Sequence, residues 1–226
     1  MRTKYPPLVS FKFSVILLTI YFFVFIPIWK VIFSSSSSWS NYHFEIFSFT
    51  IFIWLISSSK KFLEEELYDK KSLIRNIFIS IGLGIFIILS ILGSTYLFSS
   101  MAMDNGRYQV GMPVYPILGH YSKKAQFIKI LTFTIIEQIV FIEVFVKPLM
   151  HRYNRILAIY LSSIVFLLLN LKFFLGYFGL GLICSFLFGL TRSIFPAIIF
   201  HMFLCISKFL LIEYFPESIP LLNFFF

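Results

Sequence analysis

Seven long apolar runs, separated by short polar stretches, constrain this chain more than any other feature of its sequence. They lie at about 13–33, 43–59, 76–98, 126–147, 156–172, 173–190 and 193–215. A helix crosses a hydrocarbon core with about 20 apolar residues, and several of these runs reach that length. The sequence therefore predicts an all-α, polytopic membrane helix bundle of about seven transmembrane helices. It reads as a single membrane domain in two parts. Residues 1–125 hold N-terminal spans and loops, and residues 126–215 hold the spans that carry buried polar groups.

Composition agrees with a lipid-facing surface. Hydrophobic residues make up 59% of the 226 and charged residues 13%, about half the charged share of a soluble domain. Thirty-two are Phe, and a chain this short has too little interior to hide them. The net charge of +9 points to loops that meet anionic headgroups, not to nucleic acid. With the N-terminus inside, Arg2, Lys4, Lys12, Lys60, Lys61, Lys70, Lys71, Arg75, Lys147, Arg152, Arg155 and Arg192 fall on the cytoplasmic side. Lys30, Arg107, Lys123, Lys124, Lys172 and at most Lys129 fall outside. That asymmetry predicts a cytoplasmic N-terminus, and the chain as a whole has the look of a protein of the bacterial cytoplasmic membrane. The first run follows basic residues, as a signal sequence does, but is too long and has no small-x-small cleavage site, so an uncleaved span is expected. Cys184 and Cys205 lie in apolar runs and form no disulfide framework.

The connections carry weaker signals. Ser34–Ser38 is expected to form an external turn. Lys60–Arg75 mixes both signs of charge, with Glu64, Glu65 and Glu66 each near a Lys, and is expected to form a solvated or interfacial helix. Met101–Lys124 holds Gly106, Pro113, Pro116 and Gly119 and is expected to be a surface or re-entrant loop.

Polar groups kept at membrane depth are the best guide to function. An ionisable side chain at mid-bilayer costs roughly 2.5–3.5 kcal/mol on insertion scales. Glu137 stands about ten residues from either end of its run, too deep to reach the interface, so it must face the bundle interior. An interhelical hydrogen bond is the structural alternative to a functional role. Glu143 is different, because Lys147 follows one turn later and a local ion pair explains it. Asn170 by itself suits helix packing. His201 and Cys205, four residues apart, share one helix face. Two such groups are not enough for a metal site, and buried Cys is mostly inert packing. Gly181, Ser185 and Gly189 repeat at the same spacing and suit close helix contact. A proton transporter would also keep a buried Glu, but no repeat or paired broken helix supports that.

The order of these blocks resembles the CPBP family of intramembrane proteases, which includes the CAAX-processing endopeptidases and the bacterial Abi and bacteriocin-related proteins. Its pattern is Glu-Glu-x-x-x-Arg on one span, Phe-x-x-x-His on the next and His-x-x-x-Asn/Asp near the C-terminus. Glu137-Gln138 through Ile142 falls on the first block, Phe166 through Asn170 on the second, and His201 through Cys205 on the third. The likeness covers about residues 120–210, including a basic loop with Arg152 and Arg155. It implies that Glu137 and His201 are retained site positions, and that Gln138, Asn170 and Cys205 replace the family's Glu, His and Asn/Asp. Glu137 would act as base and His201 would stabilise charge. Asn170 cannot take a proton at neutral pH.

These replacements favour a non-catalytic member: a pseudoenzyme acting as a membrane regulator, bacteriocin immunity-like protein or scaffold. The alternative is an active CAAX-type intramembrane endopeptidase using Glu137 and His201. No cofactor is expected, and a divalent metal such as zinc enters only under the protease alternative. Expected partners are the lipid bilayer and another membrane protein or a peptide substrate, with no nucleic acid.

Overall fold

A computed structural model of the chain describes residues 7–33, 39–58, 70–105, 123–171 and 175–214. Among these residues every regular element is helical, in seven consecutive helices. They are α1 (Phe11–Ile32), α2 (Trp39–Ser58), α3 (Lys70–Asn105), α4, α5 (Arg155–Asn170), α6 (Leu175–Thr191) and α7 (Phe195–Tyr214). Helix α4 begins as Lys123–Val140, widens through Phe141–Val146 and ends as Lys147–Arg152. Each helix falls on one of the seven apolar runs.

Helix α3 overruns its run at both ends. It takes in Lys70, Lys71 and Arg75 of the mixed-charge stretch and Met101–Asn105 of the expected loop, and Lys123 and Lys124 belong to α4. Those loop boundaries are corrected accordingly. A helix ladder is made of backbone bonds, so charge alone does not end it. The expected turn at Ser34–Ser38 and the remaining parts of the other two connections lie outside the described residues.

Two wide π-helical turns shape the bundle, Tyr21–Phe25 in α1 and Phe141–Val146 in α4. Each comes just before a proline, Pro27 and Pro148. A proline inside a helix has no N–H to donate, and its ring crowds the carbonyl four residues back. A widened turn relieves that crowding. For Pro148 the carbonyl is that of Val144, and it accepts the Ser14 hydroxyl from α1. The bond lost to proline thus becomes a tie between two helices.

Helix ends are set by short-range chemistry. The Ser10 side chain accepts from Phe13 N–H at 3.3 Å at the start of α1, and that of Asn154 from Leu157 N–H at 2.8 Å at the start of α5. Leu171 (φ 51) and Arg192 (φ 61) reverse the chain after α5 and α6 in the left-handed region. That conformation costs a non-glycine residue on the order of 1 kcal/mol.

Helix α4 is the central post. Its segment from Val140 to Val146 is buried on every side, Glu143 included. Glu143 pairs with Lys147 one turn on, as its spacing predicts. Around α4 stand α1, α2, α5 and α7, with α6 packed against α5 and α7, and α3 against α7. Helices α5 and α6 are short, at 16 and 17 residues. Outward faces are apolar, with Phe23 79%, Val31 77%, Phe78 71% and Phe86 67% exposed. Such faces on α1 and α3 suit lipid and would be a liability in water. The chain is a helical membrane bundle.

The small residues of α6 do what their spacing predicts. A Cβ on Gly181 would lie 2.8 Å from Phe166 Cβ and 3.1 Å from Ser163 Cα of α5. Gly181→Leu should therefore destabilise the bundle by about 1–3 kcal/mol. Thermal unfolding in detergent should show a clear fall in Tm, whereas an unchanged Tm would mean that the α5–α6 contact is looser than this geometry.

Candidate functional site

Three pairs of residues with i,i+4 spacing meet inside the bundle. Phe133 and Glu137 come from α4, Phe166 and Asn170 from α5, and His201 and Cys205 from α7. All six line one cavity of about 220 Å³. Helices α2 and α6 close it with His43, Glu45 and Tyr177.

Four of the five residues singled out from sequence thus reach the cavity: Glu137, Asn170, His201 and Cys205. The fifth, Gln138, is fully buried behind it. Adjacent helical positions point about 100° apart, so Glu137 faces the cavity and Gln138 faces α7. There the Gln138 Nε2 amide lies 2.8 Å from His201 Nδ1. An amide nitrogen only donates, so Nδ1 must accept, and the ring's proton sits on Nε2. His201 is therefore held as a hydrogen-bond donor through Nε2. The Phe166 ring meets its imidazole edge to face, with centroids 6.2 Å apart. Asn170 donates to the carbonyl of Phe166 at 3.0 Å, within its own helix.

The residues not foreseen come from α2 and from the first turns of α4 and α6. Lys129 lies 3.2 Å from Glu45 and joins α4 to α2 at the cavity. Lys129 is 39% exposed, so the pair adds more to register than to stability. His43 is buried and lies 2.5 Å, through Nδ1, from the Tyr21 hydroxyl of α1. That hydroxyl also lies 2.5 Å from the carbonyl of Leu169, beside Asn170. Only Glu45 carried a sequence signal, as a charge near the start of an apolar run. A lone His at a span's end gave none.

Cys184 and Cys205 are both free thiols. Among the described residues, no group of three or more His, Cys, Asp and Glu is placed to hold a metal ion. Glu137, His201 and Cys205 share the cavity without forming such a group.

Residues 125–206 match the family model described as Rce1-like, type II CAAX prenyl endopeptidase Rce1-like. The chain matches no curated protein and no solved structure. The matched segment runs from the first turns of α4 into α7 and holds the three motif-bearing helices.

Proposed function

We propose that the chain, whose residues 125–206 match the Rce1-like model, is a member of the CPBP family and an intramembrane endopeptidase acting on a membrane-anchored or prenylated peptide. The observation that carries this is the convergence of Glu137 and His201, from two helices, on one polar cavity inside the bundle. Ionisable groups gathered at that depth are each costly, which supports a functional role for them.

The chemistry follows from the two side chains. Glu137 takes a proton from a water molecule as the water's oxygen attacks the peptide carbonyl. The carbonyl π pair moves onto its oxygen, and the Nε2–H of His201 donates to that oxyanion. On collapse the C–N bond breaks, and Glu137 returns the proton to the leaving amine. Gln138 acts through His201 as a positioning residue. No step runs through a metal. Chelators should leave the rate unchanged, and loss of cleavage restored by added zinc would overturn that.

Purified protein in lipid nanodiscs should cleave a prenylated or lipid-anchored peptide, with the products read by mass spectrometry. Failure of the wild-type protein to cleave any such peptide would overturn the endopeptidase. A non-catalytic regulator, immunity-like protein or scaffold is the second reading. It is favoured by Gln138 and Asn170, two amides standing where the family pattern has ionisable groups. Its biological effect should then survive Glu137→Gln.

For placement we propose a bacterial cytoplasmic membrane with the N-terminus inside. Lys147, Arg152, Arg155 and Arg192 lie at the end of the bundle away from Asn170 and Tyr177, and the positive-inside rule puts that end in the cytoplasm. The cavity then opens toward the opposite leaflet.

A further inference from the structure

We propose that the outer furrow between α5 and α6 is a binding site for an anionic phospholipid, with Arg155 on its phosphate and one acyl chain lying in the furrow. The site is separate from the polar cavity and does not depend on the endopeptidase reading.

Four-residue spacing builds the furrow. Ile156 and Tyr160 form a ridge on α5, and Leu182, Phe186 and Leu190 form one on α6. Residues four apart stand one above another on a helix, so each set makes a continuous wall. Ile156 (83% exposed), Tyr160 (53%), Phe186 (43%) and Leu190 (52%) face outward. Ile159 and Leu182 are half-buried and sit deeper. The open volume is about 480 Å³, within the usual range of small-ligand sites, about 300–1,000 Å³. Leu182 to Leu190 covers about 12 Å at 1.5 Å per residue. The furrow runs along both helices, the direction in which acyl chains lie beside a spanning helix.

A single charge marks one end. Arg155, the first residue of α5, is the charged side chain among the described residues that line the furrow. It lies against α6, where Gly189 makes room for it. A Cβ on Gly189 would stand 3.1 Å from Arg155 Nε and 3.5 Å from its Nη2. A guanidinium presents five N–H donors and stays charged. Among the described residues, none of the ion pairs or side-chain hydrogen bonds includes that of Arg155. The first turn of α5 holds no acidic residue, and Glu143 of α4 is already paired with Lys147. The arginine is therefore an unmatched charge at the end of an apolar furrow.

That combination selects the occupant. The guanidinium fork matches two oxygens of a phosphate, and the two ridges match a hydrocarbon chain. A neutral alkyl chain would leave the arginine unmatched, and a free phosphate would leave the walls bare. Arg152 and Arg192 stand at the same end of the bundle, so a headgroup with net negative charge is preferred to a zwitterion. Basic pockets between spanning helices on the cytoplasmic side are a recurring form of anionic-lipid recognition. The placement proposed above puts this end in that leaflet. Asn170 and Tyr177 lie at the other end, so lipid and peptide would not compete.

The test uses the full chain in nanodiscs of phosphatidylcholine, with a trace of phosphatidylglycerol carrying a photoreactive group on one acyl chain. Peptide mass spectrometry should place the crosslinks within 155–160 and 182–190. Unlabelled phosphatidylglycerol should compete them away, and added phosphatidylcholine or inorganic phosphate should not. Arg155→Gln should lower the yield about fivefold, the weight of one arginine at a lipid surface, and Arg155→Lys should lower it less. Lys12→Gln, the same change of charge at an exposed position on α1, should leave it unchanged. Leu182→Trp, which fills the furrow and keeps the arginine, should lower it as well. Equal labelling of wild type and Arg155→Gln would overturn the site. Equal competition by phosphatidylcholine would also overturn it, by making the furrow an ordinary lipid-facing surface. Displacement of the label by a prenylated peptide would give the furrow to a substrate chain instead. Disulfide-linked dimers of Ile156→Cys in place of lipid labelling would give the face to a second copy.

Discussion

Glu137→Gln should lower the cleavage rate by roughly 10²–10⁴-fold, the range typical for loss of a positioned general base. The change keeps size and shape and removes only the ability to take a proton. Glu137 is partly exposed within the cavity, unlike Gln138, which is sealed in the packing. The fold should therefore tolerate the variant, with a melting curve close to wild type. Gln138 cannot take over, since it is an amide and is bound to His201. Glu137→Asp should fall between the two, as a shorter side chain holds the same water less well. The measurement is an initial rate in nanodiscs beside a thermal melt of each variant. Equal rates for wild type and Glu137→Gln would remove Glu137 as the base.

Phe166→Ala should have the largest effect on stability, about 3 kcal/mol. Its ring is fully enclosed. It meets Phe141 at 4.7 Å and Phe44 at 6.4 Å between centroids, as well as the His201 imidazole. The backbone of Gly181 lies against its Cβ. In lipid the transfer of apolar surface from water contributes little, so the loss is mainly one of packing contacts, which keeps the value toward the low end for Phe→Ala. The same substitution removes a wall of the cavity and frees the ring of His201. Both Tm and rate should fall, and a rate that falls with no change in Tm would contradict the central packing of this ring.

The bundle was largely readable because hydrophobic length is a one-dimensional signal. Each apolar run became a helix, and even the narrow break between the fifth and sixth runs is present, closed by Leu171 in a left-handed turn. The i,i+4 logic that put His201 and Cys205 on one face also held, as both line the cavity. What could not be read was convergence. His43 and Tyr177 stand near the starts of their helices and look like ordinary polar ends of a span. Their roles depend on helices far away in sequence, Tyr21 and Leu169 in the case of His43. The mate of Gln138 was equally hidden, because 63 residues separate it from His201. Asn170, which by itself suits helix packing, bonds its own backbone and lines the cavity.

Helices α5 and α6, with 16 and 17 residues, rise only about 24–26 Å at 1.5 Å per residue. A hydrocarbon core is about 30 Å thick. A shortfall of this kind favours lipids that shorten or tilt beside the pair, so that the bilayer would thin locally. Such a dip would bring hydrated headgroups down toward Asn170 and Tyr177, which line the cavity. A hydrolytic site inside a membrane needs a supply of water, and here the mismatch in length would bring the aqueous boundary to it.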